Sequence, residues 1–195
     1  MRVESRELRV TELAIPGVKL IEPAVFGDGR GWFYEMYSEK ALRELGIQAT
    51  FVQDNRSYSA RKGTLRGLHC QAEPMAQGKL FSCTRGAIWD VAADARRDSP
   101  TYLQWVRVEL NEDNKRQLWI PRGCLHGFVT RTDDVEVFYK VDAPYSKELD
   151  RTIRYDDPLF GIDWGIENPI LSEKDANAPL WEEAGIRFQE SGGTR

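Results

Sequence analysis

Short runs of β-branched and aromatic residues, each cut off within about ten positions by turn residues, fill most of this chain and leave little room for helices. The runs fall near 18–26, 31–37, 50–58, 65–71, 78–84, 87–94, 101–110, 116–120, 126–132 and 134–140. Gly27-Asp28-Gly29, Arg85-Gly86, Asp98-Ser99-Pro100, Asn111–Asn114 and Asp133-Asp134 punctuate them. Trp89, Val91 and Ala93 alternate with Ile88, Asp90 and Asp94, and Val135, Val137 and Tyr139 with Glu136, Phe138 and Lys140. Such alternation sends successive side chains to opposite faces of a strand. No long helical crossovers separate the runs, so a parallel sheet is excluded and an all-β antiparallel sandwich or barrel is expected.

Ser38 as N-cap, good helix formers over Glu39–Leu45 and Gly46 as a left-handed stop predict one helix before the C-terminal region. At 195 residues the chain is about one domain long, with a β core expected over about 18–145. Beyond it, Asp157-Pro158, Asn168-Pro169 and Ala178-Pro179 mark a wrapping extension of loops and short helices over about 146–185. Ser191–Arg195 read as a frayed end.

The net charge of −4 is the wrong sign for a nucleic-acid binder. There is no apolar run of the roughly 18 residues that a membrane span needs. MRVESRELRV lacks a signal-peptide core, and Cys70, Cys83 and Cys124 form an odd set without metal-type spacing, so reduced thiols in a cytoplasmic protein are expected.

The sequence contains 2 histidines: His69 on a predicted strand, and His126 in Pro121-Arg122-Gly123-Cys124-Leu125-His126. The latter run resembles a motif of cupins, small β-barrels that hold metals or small molecules. A three-histidine metal site is out of reach with two histidines and no His-x-His pair, so no metal is expected. Asn55, Arg66, His69, Gln71, Gln77, Lys79, His126 and Tyr139 all lie in strand-like segments. Unpaired buried polar groups cost roughly 1–3 kcal/mol each, so such a set points either to a ligand cavity or to internal partners such as Asp90, Asp94 and Glu35.

Seven motifs follow in order: Phe26-Gly27-Asp28-x-Arg30-Gly31, Phe51-Val52-Gln53-Asp54-Asn55, Arg66-Gly67-Leu68-His69, Gln77-Gly78-Lys79-Leu80, His126-Gly127-Phe128, Tyr139-Lys140 and Ser172-x-Lys174-Asp175. Together they make the chain, from about Pro16 to Pro179, similar to the dTDP-4-dehydrorhamnose 3,5-epimerase family. The resemblance implies a jelly-roll barrel, a homodimer with exchanged N-terminal strands, a dTDP-4-keto-6-deoxyhexose substrate and no cofactor. His69 is then the base with Asp175 as its partner, Tyr139 the proton donor, and Lys79 the cation at the enolate oxygen, with His126 nearby. Arg30, Arg66 and Lys174 match charged substrate contacts. Glu35, Gln53, Asp54, Asn55 and Asp150 match nucleotide or sugar contacts, and Tyr145 matches a ring that stacks on thymine. Arg30 and Glu35 are expected to serve the neighbouring subunit's site.

Ketone chemistry asks for the same parts. A C4 ketone acidifies C3–H and C5–H, and inversion needs a base on one face, an acid on the other and a cation at the developing oxyanion. Ser172-Glu173-Lys174-Asp175 also reads as a capping box, a second role open to Asp175. Arg66 and His69 lie three positions apart, so both reach one cavity only if a bulge forms at Gly67. Asp150, Arg151, Cys70 and Trp32 depart from the family pattern. Epimerisation at a single carbon, a non-catalytic nucleotide-sugar-binding cupin and a metal-dependent cupin oxygenase are the alternative readings.

Overall fold

A computed structural model describes residues 7–188. The strands are β1 (Arg9–Glu12), β2 (Lys19–Glu22), β3 (Val25–Asp28), β4 (Gly31–Tyr34), β5 (Gln53–Ser59), β6 (Leu65–Gln71) and β7 (Lys79–Arg85). They continue as β8 (Ala87–Asp94), β9 (Trp105–Asn111), β10 (Gln117–Ile120), β11 (Cys124–Thr130), β12 (Val135–Val141) and β13 (Asp150–Thr152). Two short helices complete the set, α1 (Glu39–Glu44) and α2 (Glu173–Ala176). Six strands form one sheet in the order β1-β2-β10-β7-β12-β5, five form a second in the order β13-β6-β11-β8-β9, and β3-β4 stand apart as a ribbon. From β5 onward nearly every connection crosses from one sheet to the other, and every ladder is antiparallel. The chain is all-β and antiparallel, as its turn-punctuated pattern predicts, and it is the jelly roll that the family resemblance implies.

Alternation decides what each face meets. Phe81, Cys83, Val135 and Val137 from the six-stranded sheet pack against Ile88, Ala92, Cys124 and Phe128 from the five-stranded sheet, filling the interior. Val91, Ala93, Leu125 and Val129 point the other way, where Phe160, Trp164, Trp181 and Ile186 of the C-terminal extension cover them. On the far side, Leu80 and Trp119 pack with Leu42 and Ile47 around α1, whose Ser38 Oγ accepts from the Ala41 N–H as an N-cap. Each fully buried aliphatic side chain contributes about 1.5–3 kcal/mol, so the extension is held by several such groups.

The structure corrects several boundaries. The predicted strand 18–26 is broken by Pro23, which has no N–H for a ladder, and its halves β2 and β3 go to different sheets. The run predicted at 101–110 begins in a turn, and its strand is Trp105–Asn111. Polar β1 and β13 give no apolar signal and went unpredicted; each is an edge strand, and β13 adds part of the extension to the sheet. The end Ser191–Arg195 lies outside the described residues. Among the described residues no helix is long and apolar enough to cross a membrane.

Candidate active site

The site begins with a register fault between β6 and β11. His69 pairs with His126 and Arg66 with Phe128, so β6 spends one extra residue over that stretch. The bulge falls at Gly67, as its position between Arg66 and His69 requires, and it rests on the absence of a side chain. Gly67 has φ +141°, and a Cβ there would lie 2.6 Å from the Gly127 Cα of the neighbouring strand. Because of the bulge, Leu65 and Leu68 face the C-terminal extension while both Arg66 and His69 turn inward.

The inward His69 lines a cavity of about 350 Å³ together with Gln53, Asn55, Gln71, Lys79 and Tyr139. Cys70, Gln77, Tyr145, Asp150 and Lys174 complete its lining. Asp175 Oδ1 lies 2.6 Å from His69 Nε2, and the carboxylate is almost wholly buried. The two readings of Asp175 turn out to be one arrangement. Ser172 Oγ accepts from the Asp175 N–H at 3.1 Å, capping α2, and donates to Asp175 Oδ2 at 2.8 Å. Burial alone would raise the Asp175 carboxyl, but the His69 and Ser172 hydrogen bonds outweigh it and hold it below the ordinary carboxylate value of 3.8. An ionised Asp175 accepts a hydrogen bond from the Nε2 N–H, so Nδ1 is the ring nitrogen left to exchange protons.

Tyr139 faces inward with Val135 and Val137, its ring stacked 5.1 Å from that of Phe81. Burial pushes its phenol above 10.0 and keeps it an acid. Lys79 opens β7 on the same inner face; burial lowers its ammonium from 10.5, opposed by Cys70, Asp150 and Asp90. At the rim, Lys174 Nζ pairs with Asp150 Oδ2 at 2.6 Å, and the Tyr145 hydroxyl donates to the same oxygen at 3.4 Å. Gln53 Nε2 donates to Asn55 Oδ1 at 2.8 Å, and Gln53 Oε1 accepts from the Tyr145 N–H.

Six of the candidate site residues do not line this cavity: Asp175, which stands behind His69, and five others. Asp54 lies between Gln53 and Asn55 on β5, and strand alternation turns it to the outer face, where Lys140 Nζ binds it at 2.8 Å. Arg30 sits on the β3–β4 ribbon, in a separate hollow of about 470 Å³, with its guanidinium on Asp28. Glu35 follows the same ribbon, exposed. Arg66 does turn inward but is held by Ser59 Oγ at 3.2 Å and the Tyr58 carbonyl at 3.1 Å. His126 lies beneath the cavity, buried, with Nε2 2.7 Å from Asp90 Oδ1 and its ring against Phe81. Of the internal partners foreseen, Asp90 takes His126 and Asp94 takes Arg96. Glu35 takes neither histidine. Gln71 and Gln77, members of the polar strand set that pointed to a ligand cavity, line it; Cys70 lines it too, and its place beside His69 is the available signal. Burial pushes the Cys70 thiol up to about 12, which makes it a poor nucleophile. Among the described residues, no group of three or more His, Cys, Asp or Glu side chains is arranged to hold a metal ion.

Comparison with known proteins places the sequence and the fold in one family. The family model for dTDP-4-dehydrorhamnose 3,5-epimerase matches residues 12–183. A dTDP-4-dehydrorhamnose 3,5-epimerase of Sinorhizobium fredii is 50% identical over 187 residues, covering 95% of this chain and 96% of its own. A crystal structure of the Bacillus anthracis enzyme of that name, with TDP and PPi bound, superposes with a TM-score of 0.87 at 48% identity, covering 89% of this chain and 99% of that one. A dTDP-6-deoxy-D-glucose-3,5-epimerase from Legionella pneumophila, in complex with dTDP-4-keto-L-rhamnose, gives a TM-score of 0.87 at 44% identity, covering 94% of this chain and 100% of that one. By sequence and fold, the chain belongs to the dTDP-4-dehydrorhamnose 3,5-epimerase family.

Proposed function

We propose that this protein epimerises C3 and C5 of dTDP-4-dehydro-6-deoxy-D-glucose, giving dTDP-4-dehydro-L-rhamnose without a cofactor. The observation that carries the reading is the shared cavity: His69, Tyr139 and Lys79 all line it. His69 Nδ1 removes the proton α to the ketone, and Asp175 stabilises the imidazolium that results. Lys79 balances the charge that develops on the C4 oxygen. Tyr139 gives a proton from the other face of the ring, inverting the carbon; once solvent has taken the proton from His69 and restored that of Tyr139, the same step at the second carbon completes the conversion.

Lys174 at the rim serves the pyrophosphate, with Tyr145 offering a ring to the base and Gln53 and Asn55 polar contacts. Substrate must then draw Lys174 away from Asp150. Arg30 and Glu35 act in the site of a second subunit, in a homodimer joined through the ribbon. Phe26, Trp32 and Phe33, each more than half exposed on that ribbon, support this assembly, because adjoining large apolar side chains in water mark an interaction surface.

The test is solvent exchange. In heavy water, with dTDP-4-keto-6-deoxyglucose followed by NMR, deuterium is expected at both C3 and C5. Label at one carbon alone would assign a single-carbon epimerase, and no label would leave a binding protein.

A further inference from the structure

We infer that Gln71 is a positioning residue for the nucleotide end of the substrate: it ties the segment that carries Tyr145 to the strand that carries His69. The inference rests on the reading of Tyr145 as the ring offered to the base.

Tyr145 follows β12 in a stretch, residues 142–149, that belongs to no strand or helix. It is 56% exposed, so packing does not fix its ring, and its hydroxyl makes only the long 3.4 Å contact with Asp150. What holds the residue is the backbone around it. Four consecutive residues each bond through a backbone group to a glutamine side chain of the cavity wall. Gln77 Nε2 donates to the Ala143 carbonyl at 2.7 Å, and Gln71 Nε2 to the Pro144 carbonyl at 3.0 Å. The Tyr145 N–H donates to Gln53 Oε1 at 3.1 Å, and the Ser146 N–H to Gln71 Oε1 at 2.8 Å. Gln71 thus brackets Tyr145, binding the residue before it and the residue after.

Gln71 differs from the other two glutamines in burial and in what it has left to offer. It is buried, whereas Gln53 and Gln77 are half-buried, and its Nε2 also donates to the Met75 carbonyl. Both donors are spent on carbonyls and the oxygen on an N–H, and only one orientation of the amide satisfies all three. The side chain therefore lines the cavity with no donor free for a ligand. A buried amide satisfied in this way is rigid, and it acts as a brace. It sits two residues after His69 on β6, about 7 Å along the strand. One side chain thus links the ring that meets the base to the strand of the imidazole. A segment ordered before the ligand arrives costs nothing to order on binding.

The experiment measures dTDP binding by calorimetry, with KM and kcat for dTDP-4-keto-6-deoxyglucose, in Gln71→Met, Tyr145→Ala and the double variant. Gln71→Met keeps the length of the side chain and removes all three hydrogen bonds. It is expected to weaken dTDP binding about 10-fold and to raise KM by a similar factor, with kcat changed less than about 3-fold. In the Tyr145→Ala background the same change is expected to cost less than about 2-fold, because the ring it positions is gone. Unaltered dTDP affinity in the folded Gln71→Met variant overturns the inference, and so does a loss that is just as large without the ring. If Gln71→Met does not fold, Gln71→Asn keeps the amide but is one methylene too short to span its three partners. The same pattern is expected there, and its absence overturns the inference too. Tyr145→Ala separates the two layers. Parental dTDP affinity in that variant removes the ring from nucleotide binding and the inference with it. Weakened binding there beside unaltered binding in Gln71→Met removes only the role given to Gln71.

Discussion

Two histidines face each other across one ladder, each bound to an aspartate, and they differ in little except access. The His69–Asp175 contact is 2.6 Å and the His126–Asp90 contact 2.7 Å. The side chain of His69 is 30% exposed, that of His126 only 6%. The first pair opens on the cavity, and its aspartate is held ionised by Ser172 and the imidazole. The second lies under the cavity floor, where burial raises the acid and lowers the base, so neither keeps a charge easily. Identical side chains at nearly identical distances thus have different uses. Under the proposed function the outer pair moves protons to and from a ligand, a use closed to the inner pair by its burial.

Variants can break this contrast, beginning with the largest expected effect. His69→Ala should lower the exchange rate by about 10²–10⁴ and leave thermal stability within about 1 kcal/mol of the parent. His126→Ala should do its damage to folding, by about 3–5 kcal/mol in denaturant melts, because it strands a buried carboxylate. If both variants lost only activity, or both only stability, the contrast would collapse. Gly67→Ala tests the bulge that puts His69 and Arg66 on one face. It is expected to cost about 3 kcal/mol or more, since the φ of +141° and the 2.6 Å approach to Gly127 both oppose a Cβ.

Asp175→Asn sharpens the contrast rather than breaking it. Loss of the charge that fixes the His69 tautomer should lower exchange by about 10²-fold, and in a His69→Ala background the same change should cost little more, as expected for two groups acting as one unit. The smallest expected effect is on acid stability. The Asp175 carboxyl is held below 3.8, so its contribution is complete above that value and is lost as pH falls through the lower, folded one. The wild type should therefore lose more stability than Asp175→Asn between pH 4 and the acid end of the melt series. Parallel loss in both would show that this carboxylate gains nothing on folding.

Much of the site was legible in the chain because strand alternation is a local property. Tyr139 shares a face with Val135 and Val137 whatever the partner strands are. Ser172 and Asp175 are spaced for a cap in any fold that makes a helix there. Asp54 is the instructive miss: it belongs to a motif with Gln53 and Asn55, yet the period of two sends it to the other side, to Lys140. The motif named the neighbourhood and the pleat chose the members. Arg30 and Glu35 stand away from this cavity for another reason: their ribbon pairs with neither sheet of its own chain.

What the linear order of residues determined by itself was the alternation and its punctuation: all-β, antiparallel, with a helix at Glu39 and a bulge required at Gly67 if His69 and Arg66 were to meet. These follow from backbone stereochemistry, which acts over a few residues. Which histidine would be wet and which dry was settled only by packing. His69 and His126 sit 57 positions apart on paired strands. Burial and the electrostatics it sets depend on what long-range contacts bring near, and no short stretch of chain carries that information.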